Sequence, residues 1–378
     1  MTLRVAEVAA ALDALYPPAL AEDWDVVGLT VGARDAAVTS VLYTVDCTLA
    51  VVREALELGC NLVVAHHPLL LRPRSRIDLD DPQGRVAGDL LRHGVALFVA
   101  HTNADVPPYG VAAALADRLG LTDTAPLRPH PTDPLDKVVT FVPTAHAAAV
   151  VDALAAAGAG RIGAYDRCAF LIPGTGTFRP LAGAQPFLGR AGRVETVTED
   201  RVEMVARRVD RAQVVAALLA AHPYEEPAYD VLELASQPSA ETGLGRVGAL
   251  PTPLRLADFA AQVASAVPAT GAGLRVAGDP DRVVQRVALL PGAGGDLLAD
   301  VRTAGAEVYL TSDLRHHPAS EALAWSDAPA LVEVPHWAAE HPWLAVAQRQ
   351  VAERLAEQGW AVSSWVSELC TDPWTFTV

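Results

Sequence analysis

The sequence predicts an α/β protein built from two similar α/β halves that form one domain, with a ferredoxin-like α+β domain inserted between them. Three observations predict this. Strand-like apolar runs alternate with helix-spaced segments towards both ends of the chain, as βα units do. Two polar, Pro-containing stretches, APLRPHPTDPLDK and ASQPSAETGLG, punctuate the middle. Both outer segments follow a buried-looking strand with a polar turn and His-His-Pro, in NLVVAHHP and in VYLTSDLRHHP. A chain of 378 residues exceeds one ordinary core, and the parts are placed at 1–128, 129–240 and 241–378.

The elements follow in order. RVAEVAAALDALY has helical apolar spacing, SVLYTVD reads as a buried strand ending at Asp46, and LAVVREALELG is an amphipathic helix with Gly59 as its stop. NLVVA is a strand running into His66-His67-Pro68, RVAGDLLRHG a helix, VALFVA a strand followed by HTNAD, and GVAAALADRLGL a closing helix. This rhythm implies a parallel sheet with helical cover. The middle reads as strand, turn, helix and Gly stop (KVVTFVPTAHAAAVVDALAAAGAG), then strand and helix (VEMVARRVDRAQVVAALLAAH), then the strand YDVLEL, a pair of βαβ-type units. The outer rhythm resumes with the helix LRLADFAAQVASAV, the strand and Gly-rich turn RVVQRVALLPGAGG, and the helix DLLADVRTAG. EVYLT is a strand, ASEALAW a helix, ALVEV a strand, PHWAAEHPW a turn, and WLAVAQRQVAERLAEQG the last helix.

Composition narrows the function. Apolar residues make up 51% and charged residues 20%, so the chain folds. A formal net charge of -16 argues against a nucleic-acid partner and against an anionic membrane surface. The four cysteines show no CxxC spacing, which suggests neither a disulfide framework nor a zinc finger. With no signal-peptide layout and no membrane-length apolar run, a cytoplasmic location is expected.

Six histidines, His66, His67, His101, His316, His317 and His336, fall just after predicted strands, where α/β sheets bind ligands. His336 and Glu340 stand at i and i+4. A helix starting near Pro335 puts both on one face as half a metal site, although a plain polar pair at a helix start has the same spacing. Asp105 in HTNAD follows a buried strand, as a functional loop residue or as an Asx turn before Pro107-Pro108. Adjacent His66 and His67 at a strand end point in opposite directions and can serve two neighbouring ions, one imidazole each; a His-rich turn is the other reading. Jointly, three imidazoles and two carboxylates suit a dinuclear site for Zn²⁺, Mn²⁺ or Fe²⁺ with positions left open for catalysis. His101 and Thr102 beside them fit an acid/base or ligand-supporting role. His316-His317 reads as a frame of the same cleft or as a structural turn. LPGAGGD, Leu290 to Asp296, reads as a phosphate approach or a tight βα turn, and lacks the Lys of a P-loop.

EDWDVVGLTVG, LVVAHHPLLL, HTNAD, GRVGAL, VYLTSDLRHH and PHWAAE together resemble the NIF-three-like family, whose members are also called GTP cyclohydrolase 1 type 2 homologues or dinuclear metal centre hexameric proteins. RIGAYDRCAF, GTGTFRP and HPYEEPAYDVLEL are similar to the PII/CutA-type domain inserted in its longer bacterial members. The resemblance implies a two-metal site in a toroidal homohexamer, with His66, His67, Asp105, His336 and Glu340 as ligands and Glu340 bridging. It implies hydrolytic opening of the guanine imidazole ring of GTP with release of formate, a reaction that would need a proton donor such as His101. The departures are TSD in place of the usual TGD and Pro335 in place of Gly before His336. A non-catalytic metal-binding or small-molecule-sensing regulatory hexamer is the alternative.

Overall fold

The structure, a computed structural model, describes residues 2–378. It is a mixed α/β fold with several sheets and, among the described residues, eleven α-helices. No described helix is long and apolar enough to cross a membrane. The chain divides into two compact units, Met1–His130 with Ala240–Val378, and Pro131–Ser239.

In the larger unit, the strands Ser40–Thr44 and Leu62–Ala65 are buried along their whole length, so both faces must be covered. Their period of two does this: Val41, Tyr43, Leu62 and Val64 join one core, and Leu42, Val63 and Ala65 another. These strands belong to a five-stranded sheet ordered Gly28–Val31, Ala96–Val99, Leu62–Ala65, Ser40–Thr44, Ser363–Val366. A six-stranded sheet is ordered Arg275–Ala277, Ala330–Glu333, Val308–Ser312, Val283–Ala293, Arg246–Arg255, Thr122–Ala125.

The expected parallel sheet is therefore two mixed sheets. The inner pairs are parallel, but Gly28–Val31, Arg275–Ala277, Arg246–Arg255 and Thr122–Ala125 pair antiparallel. The outer strands need no crossover helix, so the βα rhythm does not dictate their direction. The halves also exchange strands. Ser363–Val366 pairs with Ser40–Thr44, and Thr122–Ala125 pairs with Arg246–Arg255. One core holds residues of both sheets together with the helices Val5–Leu15, Val111–Arg118, Leu256–Ala266 and His336–Ala356. Helices Leu49–Glu57 and Pro82–His93 cover the other face of the first sheet, and Leu298–Thr303 that of the second. Within the shared core the Trp343 indole N–H donates to the Tyr16 hydroxyl at 3.2 Å, which donates to Gln350 Oε1 at 2.8 Å.

Three local expectations change. HTNAD forms a one-turn helix, Thr102–Asp105. PHWAAEHPW is no turn: the helix runs unbroken from His336 to Ala356 with Pro342 inside it. Pro342 cannot bond the Ala338 carbonyl, a defect of about 3 kcal/mol, but the burial of Trp337, Trp343 and Leu344 around it holds the helix together. The two Pro-containing stretches that punctuate the chain are themselves paired: Arg128–Pro131 and Pro238–Leu244 form a two-stranded sheet.

The smaller unit is an antiparallel sheet ordered Tyr229–Glu233, Leu135–Pro143, Glu195–Arg207, Ala169–Phe178. Helices Ala147–Ala156 and Arg211–Ala221 pack Val150, Leu154, Val214 and Leu218 against Val138, Val202 and Met204. Asp136 is buried in this unit and accepts hydrogen bonds from Arg211 Nε at 2.7 Å and Arg208 Nε at 3.0 Å. Arg211, then Arg208, hold its carboxyl below the usual range against the effect of burial. Its folded pKa lies below its unfolded one, so its stabilisation is complete above the unfolded value, near pH 4, and is lost as pH falls through the folded value. Asp136→Asn is expected to destabilise the protein by about 2 kcal/mol at pH 7, with the difference shrinking towards zero on acidification. Denaturant unfolding at a series of pH values checks this.

Candidate metal centre

The candidate ligands come from three strand ends. His66 and His67 follow the strand Leu62–Ala65, and their N–H groups still donate to the Thr44 and Val45 carbonyls at 3.0 and 2.8 Å. Asp105 ends the one-turn helix beyond Ala96–Val99. His336 opens the long helix after Ala330–Glu333, and Glu340 lies one turn further on. Glu340, 3% exposed, is the hub: its Oε1 lies 3.5 Å from His66 Nε2 and 3.0 Å from His336 Nε2, and its Oε2 lies 2.9 Å from His67 Nε2. Asp105 Oδ1 is 3.8 Å from His66 Nε2.

His66 and His67 do not point apart as expected. Their ring centroids are 5.0 Å apart and their planes differ by 37°. Both residues lie beyond the last strand residue, so the pleat no longer sets their directions, and they reach different oxygens of one carboxylate. The His66 ring also lies 5.2 Å from that of buried Trp343, which backs it.

The outer ring nitrogens are all engaged. His66 Nδ1 donates to the Ala100 carbonyl at 2.8 Å, His67 Nδ1 to Asp46 Oδ1 at 2.7 Å and His336 Nδ1 to Asp313 Oδ2 at 2.6 Å. This leaves each Nε2 turned towards Glu340, the arrangement that metal-binding histidines adopt. Glu340 Oε2 is buried and has no hydrogen-bond partner among the described residues, although His67 Nε2 is 2.9 Å away. Ligand atoms of His66, His67 and Glu340 all fall within 4.8 Å of one another, so this group can hold a metal ion.

The electrostatics agree. Burial disfavours charge on His67 and His336, but Glu340, joined by Asp46 and Asp313 respectively, overrides it and raises them to about 10 and about 11. Burial likewise opposes charge on Glu340, and the three imidazoles override it and hold its carboxyl well below the usual range. Burial and then the Glu340 charge push Asp105 well above that range. A cation and the Nε2 protons of His67 and His336 compete for the same nitrogens, so occupancy rises with pH.

Asp46, Asp313, Asp25 and Gly292 escape the sequence reading as site residues. Asp46 and Asp313 follow strands, and Asp313 adopts a left-handed φ of 53°. Asp25 Oδ2 takes the His101 Nδ1–H at 3.0 Å, the Thr102 N–H at 3.1 Å and the Thr102 hydroxyl at 2.6 Å. Burial raises the Asp25 pKa, but these His101 and Thr102 contacts outweigh it and hold the carboxyl below the usual range. The His101 ring centroid lies 5.4 Å from that of His66 and 5.7 Å from that of His67. LPGAGGD makes a tight βα turn: the strand Val283–Ala293 runs through its start, a 3-10 turn over Gly295–Leu297 leads into the helix Leu298–Thr303, and Gly292 backs onto the cluster. His316 and His317 do not join the cluster. They are the exposed first residues of the helix His316–Leu323, so Asp313, three residues earlier, takes the place at the site. Asp46→Ala, which frees the His67 ring, is expected to weaken metal binding about 10–100-fold in competition with a chromophoric chelator.

The chain matches the family model of Duf34/NIF3 (NGG1p interacting factor 3) over residues 3–373. It belongs to that family. A relative from Mycobacterium tuberculosis named GTP cyclohydrolase 1 type 2 homolog is 47% identical over 376 residues, covering 99% of this chain and 97% of its own. One of the same name from Bacillus subtilis is 38% identical over 360 residues, covering 95% of each chain. Among solved structures, a Bacillus cereus protein related to NIF3 superposes with a TM-score of 0.76 at 36% identity, covering 100% of both chains. A Staphylococcus aureus protein superposes with a TM-score of 0.85 at 27% identity, covering 100% of this chain and 99% of its own. The family match spans the smaller unit as well as both parts of the larger one.

Proposed function

We propose that this family member is a dinuclear metal-dependent hydrolase acting on a nucleotide or related small molecule, with GTP the first substrate to try. The observation that carries the reading is Glu340, whose two oxygens face different imidazoles and one of which is buried without a hydrogen-bond partner. The relatives' printed name supports the substrate class. His66, His67, Asp105, His336 and Glu340 would hold two divalent ions, Zn, Fe or Mn, with Glu340 between them. Such ions supply Lewis acidity and acidify bound water. His101, oriented by Asp25 through Nδ1, keeps its Nε2 to give or take a proton at the substrate. Asp25→Asn is expected to lower kcat about 100-fold while metal content stays at the wild-type level.

In this reading the protein is a toroidal, cytoplasmic homohexamer, and its acidity disfavours nucleic-acid and membrane partners. The smaller unit is a ferredoxin-like domain of PII/CutA type, supported by its β-α-β-β-α-β order and antiparallel sheet. The alternative, a non-catalytic metal-binding or small-molecule-sensing hexamer, draws on a cavity of about 470 Å³ in that unit, lined by Phe141, Phe178, Phe187, Glu199 and Tyr224. Incubating metal-loaded protein with GTP and a panel of phosphoesters, and following formate and phosphate, separates the two. Turnover abolished by Glu340→Ala supports the hydrolase; ligand binding without turnover supports the sensor.

A further inference from the structure

We infer that residues 371–377 form a wall of the substrate cleft beside the metal centre, where Trp374 and Phe376 offer a stacking surface to a planar ring of the ligand; the ligand's reacting end is taken from the hydrolase reading above. A cavity of about 640 Å³ is lined by His67, Asp313 and His336 and also by Arg275, Trp374 and Phe376. That volume suits a nucleotide-sized molecule.

Much of the polar lining of this cavity is already engaged. Asp46 and Asp313 hold the Nδ1–H groups of His67 and His336, Glu333 pairs with Arg275, and Asp372 accepts the Trp374 N–H at 2.8 Å. Two large aromatic side chains remain, with Trp374 69% and Phe376 75% exposed. Exposed aromatic faces in a cleft that ends at imidazoles fit a flat heterocycle lying on the wall with its polar end towards His67 and His336. Arg275 is paired with Glu333 through one guanidinium nitrogen, and the aromatic faces are what the wall adds for recognising the ring.

The wall is held in place at two points. The strand Ser363–Val366 runs parallel to Ser40–Thr44 and so carries the following residues to the sheet edge where Asp46 lies. There the Thr371 hydroxyl donates to Asp46 Oδ2 at 2.5 Å, while Oδ1 of the same carboxylate takes the His67 Nδ1–H. Further along, the backbone of Thr375 and Phe376 lies against Gly271, where a Cβ would stand 2.2 Å from the Thr375 carbonyl carbon and 2.6 Å from the Phe376 nitrogen. Only glycine admits the segment this closely. One carboxylate thus anchors both a candidate metal ligand and the wall.

The test compares ligands that differ only in the ring. Calorimetric affinities of the metal-loaded full chain are measured for GMP, AMP and UMP against ribose 5-phosphate, in wild type and in Trp374→Ala/Phe376→Ala, with metal content determined on the same samples. At least one nucleotide is expected to bind wild type about tenfold or more tighter than ribose 5-phosphate, as stacking on an aromatic side chain allows. The double variant is expected to lose that margin while keeping its ribose 5-phosphate affinity and its metal. A wild type that gains nothing from the ring, or a double variant that keeps the margin, overturns the wall. A margin that depends on Trp374 and Phe376 in protein that retains no metal upholds the wall and refutes the metal centre instead.

Discussion

Glu340→Ala is expected to reduce metal affinity by at least about 100-fold and to remove the rise in Tm that added metal produces. The side chain contacts all three imidazoles of the cluster, at 3.5, 2.9 and 3.0 Å, and supplies both carboxylate oxygens at its centre. Outer partners of metal ligands are worth 10–100-fold in affinity, so a central ligand is worth more. Glu340→Gln keeps the shape and one acceptor but replaces the other oxygen with an N–H₂ donor that turns protons towards the imidazoles, so it is expected to behave almost as badly. Calorimetric titration measures the affinity, and thermal melts with and without metal measure the linked stabilisation. Both variants retain the buried Trp337, Trp343 and Leu344 that hold the helix, so folding and metal binding can be read separately.

Gly292→Ala is expected to lower stability by about 1–2 kcal/mol and metal affinity about tenfold, although Gly292 offers no ligand atom of its own side chain. Two effects combine. The backbone there has φ of 83°, a left-handed conformation that an L side chain adopts at a cost. The new methyl would stand 2.8 Å from Glu340 Oε1 and 3.4 Å from His336 Nε2, so the ligands must move. Nearby Gly295→Ala is the control, because a Cβ there meets nothing within 4 Å. Denaturant unfolding and chelator competition on both variants check the pair, and equal behaviour would show that the close approach at Gly292 does not matter.

The central strands were readable because burial on both faces gives continuous apolar runs, such as NLVVA and SVLYTVD, and because the helices between them carry their own period. The exchanged edge strands were not. Thr122–Ala125 is exposed at all four positions and Ser363–Val366 is only partly buried, so neither shows a pattern that names its partner. Helical spacing placed His336 and Glu340 on one face but did not tell a metal pair from a plain polar pair, and the unbroken helix past Pro342 was hidden by a residue that usually ends one. His66, His67 and Asp105 stood out as polar residues at strand ends. The carboxylates that aim the imidazoles did not, because Asp46 reaches His67 across 21 residues and Asp313 reaches His336 across 23. Gly292 gave only a Gly-rich run, since the need for glycine there arises from a carboxylate that approaches from another part of the fold.

Metal content per chain tests the account most directly. Wild-type protein, purified without chelator or affinity nickel and loaded anaerobically with Zn, Fe or Mn, is measured by elemental mass spectrometry alongside His67→Ala/Glu340→Ala. The account predicts about two equivalents in the wild type with at least one of these metals, and a loss of both in the variant. A wild type that stays empty with every metal, or one that never exceeds a single equivalent, would contradict it.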